Sequence, residues 1–150
     1  MPIPASKILW TIGIISIPER VEGLMKLYKK LSGDERVEIV TLMDNRSMSI
    51  SEKRNRVMLA ARGKYFSFLD DDDDVSDDFI PRILETIEAN PDTDVITFDQ
   101  LCSLDGLPMK VSFGLGNPHD VCVPNHNNTG YWDIQRPPYH MCVWKMDIAA

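Results

Sequence analysis

Seven aspartates lie within nine residues, at positions 70 to 78, directly after an apolar run. Carboxylates about 4 Å apart repel one another by roughly 1 to 4 kcal/mol at surface-like dielectrics, so such a cluster favours a counter-charge. A divalent cation such as Mg²⁺ or Mn²⁺ supplies that charge, because hard cations prefer oxygen ligands. The acidic run therefore predicts a metal site, with a solvated acidic loop as the alternative that the run alone leaves open.

The charges divide unevenly along the chain. Residues 1 to 69 carry twelve Lys/Arg against seven Asp/Glu, residues 70 to 150 carry four against sixteen, and the net charge is −7. A cationic half that leads into an acidic cluster suits a site where basic side chains and a metal ion bind one polyanion, such as a diphosphate. An acidic chain offers no broad basic face, so we expect no nucleic-acid partner.

Length and composition fit one globular domain. The chain has 150 residues, of which 43% are apolar, and this allows a sizeable core. No apolar stretch approaches the roughly 18 to 20 residues that span a bilayer, so no transmembrane segment is expected. The N-terminus lacks a signal-peptide pattern, so we expect a cytoplasmic protein. Three cysteines without a Cys-x-x-Cys pair suggest neither a disulfide framework nor a zinc site.

Strands alternate with helices over the first hundred residues. Continuously apolar runs predict buried strands, and apolar residues at helical spacing predict the helices between them. A capping box at Ser49 to Glu52 opens the second helix. The predicted strands span residues 8–17, 37–43, 65–69 and 94–98, and the predicted helices span residues 19–31, 49–62 and 76–88. This order predicts an α/β fold with a mostly parallel sheet, flanked by helices, whose ligand site lies at the carboxyl ends of the strands.

The pattern is weaker after residue 100. Residues 104–107 predict a turn, with a strand at 109–113 behind it. Residues 114–130 are rich in Gly, Asn, Pro and His, which indicates a long irregular loop of the kind that carries binding groups.

Several short motifs occur in register along the first hundred residues. They are Arg54-Asn55, the turn Ala61-Arg62-Gly63-Lys64-Tyr65 and the strand end Phe68-Leu69-Asp70-Asp71-Asp72-Asp73. Together they resemble the GT-A glycosyltransferases, particularly the large family 2 group, over roughly residues 8 to 100. The resemblance implies a GT-A, Rossmann-like fold. It also implies a metal-dependent enzyme, of the hexosyltransferase type, that transfers a sugar from a nucleotide-diphosphate sugar, with a UDP-sugar as the expected donor.

The resemblance also implies a metal site. Asp70-Asp71-Asp72 corresponds to the Asp-x-Asp motif, whose last Asp binds the divalent metal, Mn²⁺ or Mg²⁺, that bridges the donor diphosphate. Asp72 is thus the first expected metal ligand, Asp70 the second, and Asp73 a supporting one. Some GT-A enzymes use a late histidine as a further ligand, which makes His140 a candidate; its alternative is a core or edge histidine.

Nucleotide contacts follow from the same comparison. Asp44 is similar to the family Asp that contacts the base, and Arg54 is expected to face the phosphates. For Arg54, and more so for its neighbours Lys53 and Arg56, the alternative is a solvated helix face. The family's Pro-x-Tyr-Asn is shortened here to residues 18–20, which leaves the role of Glu19 open. The expected nucleotide-sugar-binding residues are Ser16, Pro18, Arg20, Asp44, Arg54, Asp70 and Asp71.

The outer aspartates of the run have a simpler interpretation. Asp77 and Asp78 are predicted to occupy the first helical turn behind Ser76, where acidic side chains complement the helix dipole. Asp74 has no assigned role.

The catalytic base is unknown. Inverting family members often use a Glu-Asp pair late in the chain, but no glutamate follows Glu88. Three explanations are open: a C-terminally truncated chain, a minimal enzyme that uses another base, and a noncatalytic nucleotide-sugar-binding module. The apolar ending at residues 149 and 150 leads us to expect truncation. Nucleotidyl transfer is less favoured because no Gly-rich phosphate loop follows the first strand.

The domain organisation follows from these assignments. Residues 1–100 are expected to form the nucleotide-sugar-binding α/β half. Residues 101–150 are expected to form the acceptor-side, irregular part of the same single domain, and they can face a saccharide, lipid or protein acceptor. A homo-oligomer is compatible with this reading.

Overall fold

The structure is a computed structural model that describes residues 7–117, 121–124, 126 and 132–149. The chain divides into two compact units: Met1–Ile96 with Val143–Ala150, and Thr97–Cys142. Among the described residues, no helix combines the length and the apolar character needed to cross a bilayer.

Nine strands and four α-helices are formed by the described residues. The strands are β1 (Trp10–Ser16), β2 (Val37–Met43), β3 (Tyr65–Phe68), β4 (Val95–Ile96), β5 (Gln100–Leu104), β6 (Leu107–Phe113), β7 (Val121–Pro124), β8 (Trp132–Arg136) and β9 (Val143–Lys145). The helices are α1 (Val21–Leu31), α2 (Ile50–Ala60), α3 (Phe79–Ala89) and α4 (Met146–Ala149), and a 3-10 helix, Pro18–Arg20, precedes α1.

The first unit is built on a five-stranded sheet in the order β2-β1-β3-β9-β4. β1 pairs in parallel with both β2 and β3. This confirms the predicted α/β fold for the three strands whose carboxyl ends were expected to hold the ligand. β9 runs antiparallel to β3 and β4, so the sheet is mixed. Antiparallel neighbours, unlike parallel ones, need no crossover helix between them.

The core of the first unit explains why β1 is apolar on both faces. Trp10, Ile12 and Ile14 on one face and Thr11 on the other are fully buried, because helices cover both faces of a sheet built from β-α-β connections. On α2, Val57 packs against Phe66 and Phe68 of β3. On the opposite helix α3, Phe79, Ile83, Leu84 and Ile87 are buried, and Ile80 is half-buried.

The apolar residues of α1 are buried only in part. Leu24, Leu27 and Leu31 are buried, whereas Val21, Met25 and Tyr28 are 43%, 51% and 43% exposed. The helix carries two neighbouring apolar stripes, and the period of an α-helix alone does not tell which of them faces the sheet.

The third helix starts later than predicted. α3 begins at Phe79, so Asp77 precedes it and Asp78 occupies the N-cap position without a side-chain cap hydrogen bond. Asp78 instead accepts a 2.7 Å hydrogen bond from Ser76 Oγ and lies 3.6 Å from Arg82. The prediction that both aspartates lie inside the first helical turn is therefore wrong.

The second unit contains a four-stranded sheet in the order β5-β6-β8-β7. The predicted turn is confirmed between β5 and β6, where Asp105 and Gly106 have φ of 51° and 79°. β5 was not predicted, and β7 lies inside the stretch predicted as a loop. Most of the remainder of that stretch, including residues 118–120 and 127–130, lies outside the described residues.

Candidate functional site

Three loops meet at one edge of the first sheet. β1, β2 and β3 are parallel neighbours, so their carboxyl ends lie at the same edge. The segments that follow them hold Pro18–Arg20, Asp44–Ser49 and Leu69–Asp74. α2 begins at the end of the second segment, because the Ser49 side chain accepts a 3.1 Å hydrogen bond from Glu52 N and caps the helix.

The acidic turn after β3 brings three carboxylates together. Asp70, Asp72 and Asp73 each offer one oxygen, and these oxygens lie within 4.8 Å of one another. A tight turn, in which Asp73 N donates to Asp70 O at 3.1 Å, draws the first and last of them close. Clustered carboxylate oxygens are the ligands that a hard divalent cation prefers.

The surroundings of Asp73 disfavour its charged carboxylate. Its Oδ2 is buried and accepts no hydrogen bond from the described residues. Burial, followed by the charges of Asp70 and Asp72, raises the pKa of Asp73 above its ordinary value. A cation placed among these oxygens would remove the repulsion and satisfy the buried oxygen, so the residues present fit a divalent metal.

Asp71, by contrast, is tied into the protein. Its carboxylate accepts hydrogen bonds from Ser16 Oγ at 2.7 Å and from Arg20 Nη1 at 3.0 Å. The Asp71 side chain is 4% exposed, whereas that of Arg20 is 54% exposed. Three of the predicted nucleotide-sugar contacts are thus brought together, but their side chains bind one another and anchor the acidic turn to β1.

Asp44 closes the loop that follows β2. Its Oδ2 accepts hydrogen bonds from Met48 N at 2.7 Å and Ser47 Oγ at 3.2 Å. Its Oδ1 lies 2.5 Å from Lys53 Nζ, in an ion pair whose side chains are 5% and 6% exposed. The solvated-face interpretation is therefore wrong for Lys53, which points inward from α2.

Sequence reasoning missed the burial of Lys53, although one signal was present. Val57 lies four residues later on α2, and the two are the buried residues of that helix. Residues four apart share a helix face, so a lysine one turn before a core valine predicts an ammonium that needs an internal partner. Arg56, on the exposed face, forms the ordinary surface pair with Glu52 at 2.9 Å.

Three further predicted site residues, Arg54, Pro18 and His140, lie in three different environments. The guanidinium of Arg54 lies 5.5 Å from the ring centroid of Phe68, a geometry that favours a cation over an aromatic face. Pro18 begins the 3-10 helix. His140 belongs to the second unit, where its ring packs edge-on against Tyr139 at 4.7 Å.

Basic side chains of α1 lie beside the acidic turn. A cavity of about 360 Å³ is lined by Gly23, Lys26, Leu27, Lys30 and residues 71–74. Lys30 Nζ lies 2.6 Å from Asp74 Oδ1, and this bond lowers the pKa of Asp74. Asp74, which had no predicted role, is therefore a surface ion-pair partner.

The Asp44–Lys53 pair predicts a stability change with pH. The Lys53 ammonium, and then the Met48 N–H, lower the pKa of Asp44 from 3.8 to about 2. Because the folded pKa is depressed, the stabilisation is complete above the unfolded pKa and is lost as the pH falls through the folded one. Asp44→Asn should lower the free energy of unfolding near neutral pH, and the gap to the wild type should narrow progressively below about pH 4.

Urea unfolding at a series of pH values measures this gap. A gap that keeps the same size from neutral pH into the acidic range would show that the ionised pair does not stabilise the fold.

A comparison with protein families gives one match. The family model described as "Glycosyl transferase family 2" matches residues 16–142, a stretch that contains the acidic turn and all three loops at the sheet edge. A search of curated proteins gave no match.

Proposed function

The chain belongs to glycosyl transferase family 2, whose members transfer a sugar from a nucleotide-sugar, and we propose that it is a metal-dependent enzyme with a UDP-sugar as donor. The observation that carries the proposal is the cluster of Asp70, Asp72 and Asp73 with its unsatisfied buried oxygen. We propose that the transferred group is a hexosyl group and that the acceptor is a saccharide, a lipid or a protein.

Asp72, Asp70 and Asp73 are proposed to hold Mn²⁺ or Mg²⁺. When bound, such a cation stabilises the negative charge that develops on a leaving diphosphate. Asp71 keeps the turn in place from behind, because its two hydrogen bonds join it to Ser16 and Arg20. The acidic turn thereby groups three carboxylates, while the fourth binds Ser16 and Arg20.

Cationic side chains at the same edge suit the phosphates. Arg20 uses one of its five N–H donors on Asp71, and its side chain is half exposed. We propose that Arg20 and Arg54 face the diphosphate, and that Pro18 and Ser16 shape the pocket wall beside them. Asp44 is proposed to act at the nucleoside end mainly by holding its loop, because both of its oxygens are already engaged.

The assignments in the later part of the chain remain proposals as well. We propose that residues 1–100 bind the nucleotide-sugar and that residues 101–150 face the acceptor. His140 is proposed as an additional metal ligand on the family resemblance alone.

A noncatalytic nucleotide-sugar-binding module is the second candidate function. The observation behind it is that the carboxylates of residues 89–150 are all aspartates, and none of them belongs to the Glu-Asp pair that inverting family members often use to activate an acceptor hydroxyl. Binding of the donor alone does not separate this candidate from the enzyme.

Turnover of labelled donor separates the two candidates. The protein is incubated with a panel of UDP-sugars, with Mn²⁺ or with a chelator, and release of UDP is measured. An enzyme should release UDP from at least one donor, through transfer or hydrolysis, and only when the metal is present. Metal-dependent binding without release of UDP across the panel would favour the module.

A further inference from the structure

Lys53 is a buried cation that joins three parts of the site. Its side chain is 6% exposed, and burial of an ammonium is costly unless it is paired and hydrogen-bonded. Nζ lies 2.5 Å from Asp44 Oδ1 and donates a 2.8 Å hydrogen bond to the backbone oxygen of Ser16. A side chain of α2 thus binds the ends of both β2 and β1.

Ser16 extends this connection to the acidic turn. While its carbonyl accepts from Lys53, its hydroxyl donates to Asp71 Oδ2 at 2.7 Å. Asp71 lies between Asp70 and Asp72, two members of the carboxylate cluster. A continuous line of short polar contacts therefore runs from Asp44 through Lys53 and Ser16 to Asp71, and most of it is buried.

Stability alone gives a weak reason for this arrangement. The attraction within a buried ion pair offsets little more than the free energy needed to desolvate its two charges. Well-packed apolar side chains in the same place commonly stabilise the fold equally. Buried ionic groups can instead fix one geometry among several, because a displaced partner would leave an unsatisfied charge. The elements fixed here are the loops proposed to face the nucleoside and the metal.

We propose that Lys53 is a positioning residue that couples nucleotide binding to metal binding. It holds the loop after β2 and, through Ser16, the acidic turn after β3 in one register, so that a nucleotide bound against the first favours a metal bound in the second. This inference rests on the proposed function, and it assigns Lys53 no contact with either ligand.

The coupling is measured as the ratio of the affinity for one ligand in the presence of the other to its affinity in the absence of the other. UDP is titrated by calorimetry with Mn²⁺ and with chelator, and Mn²⁺ is titrated with and without UDP by the loss of the free-ion paramagnetic resonance signal. Thermodynamic linkage requires that Mn²⁺ raise the affinity for UDP by the same factor by which UDP raises the affinity for Mn²⁺. In Lys53→Met the ratio should fall by about tenfold, within the range that site-to-site coupling spans.

Two further variants make the result specific. Ser16→Ala removes the hydroxyl that reaches Asp71 but keeps the carbonyl that accepts from Lys53, so it should lower the same ratio and serves if Lys53→Met does not fold. Lys29→Met makes the same chemical change at an exposed position of α1, and its ratio should equal that of the wild type.

The possible outcomes bear on different claims. If the wild type shows no metal-dependent UDP binding, the proposed function and this inference both fail. If the wild type shows it, but folded Lys53→Met and Ser16→Ala keep the wild-type ratio, the inference alone is overturned. A loss of UDP affinity that is equal with and without Mn²⁺ also overturns it, because the ratio is then unchanged.

Discussion

Asp72→Ala is expected to abolish the contribution of Mn²⁺ to UDP binding, with a loss of at least roughly a hundredfold in affinity in the presence of the metal. Removal of a partner that only orients a ligand already costs 10- to 100-fold in metal affinity, and a direct ligand should cost more. Asp72 is the most exposed of the three clustered carboxylates, so its removal leaves the fold in place. Calorimetric titration of UDP with and without Mn²⁺ measures the effect.

Asp77→Ala is the matched control for this change. Asp77 lies in the same acidic run and is exposed, but it lies outside the cluster that could hold a metal. It should bind UDP as the wild type does. UDP binding that needs no metal and is unaffected by Asp72→Ala would contradict the proposed role of the cluster.

Gly63→Ala is expected to lower the free energy of unfolding by about 3 kcal/mol, at the upper end of ordinary overpacking effects. A Cβ at this position would lie 2.6 Å from Thr11 N and 2.9 Å from Trp10 C. Both atoms are main-chain atoms of β1, an interior strand of the sheet, so they cannot move aside without disturbing its pairing with β2 and β3. The close approach of Gly63 to β1 also allows a hydrogen bond, which Gly63 N donates to Thr11 Oγ1 at 2.8 Å.

Urea unfolding of Gly63→Ala and Gly114→Ala measures this difference. In the control, the nearest neighbour of the new Cβ is the side chain of Asn117 at 3.3 Å, which can shift by a few tenths of an ångström while its long hydrogen bond to Arg136 O adjusts. Equal stability of Gly63→Ala and the wild type would show that the turn before β3 has more room than the structure indicates.

Where the local signal was complete, the sequence predicted the structure well. β2 has the predicted bounds, Val37–Met43, because a β-branched run is followed by a polar turn. The Ser49 cap was predicted because a capping box is a contact between residues three apart. The turn at residues 105 and 106 was predicted because glycine tolerates a positive φ there.

Features that depend on distant residues were not predicted. The burial of Lys53 depends on Asp44 and Ser16, which lie on other elements. The choice between the two apolar stripes of α1 depends on the sheet beneath it. β5 was missed because it forms as the hairpin partner of β6, a contact that the residues of β5 do not indicate by themselves.

The acidic run shows the same division within a single segment. Composition indicated a metal site, and the family resemblance named Asp72, Asp70 and Asp73 as its expected ligands, but neither gave the contacts of each aspartate side chain. The structure groups Asp70, Asp72 and Asp73, turns Asp71 toward Ser16, and pairs Asp74 with Lys30. The direction of each side chain follows from the turn geometry and from partners on β1 and α1, and none of these is encoded in the run itself.

The central claim is that Asp70, Asp72 and Asp73 bind the divalent cation that accompanies the donor diphosphate. A crystal of the protein soaked with UDP and Mn²⁺ tests it most directly, because the anomalous scattering of manganese locates the ion. The account predicts a manganese peak at coordination distance from these carboxylates and from the UDP diphosphate. UDP bound with no manganese among these three carboxylates, or manganese bound at another part of the chain, would contradict it.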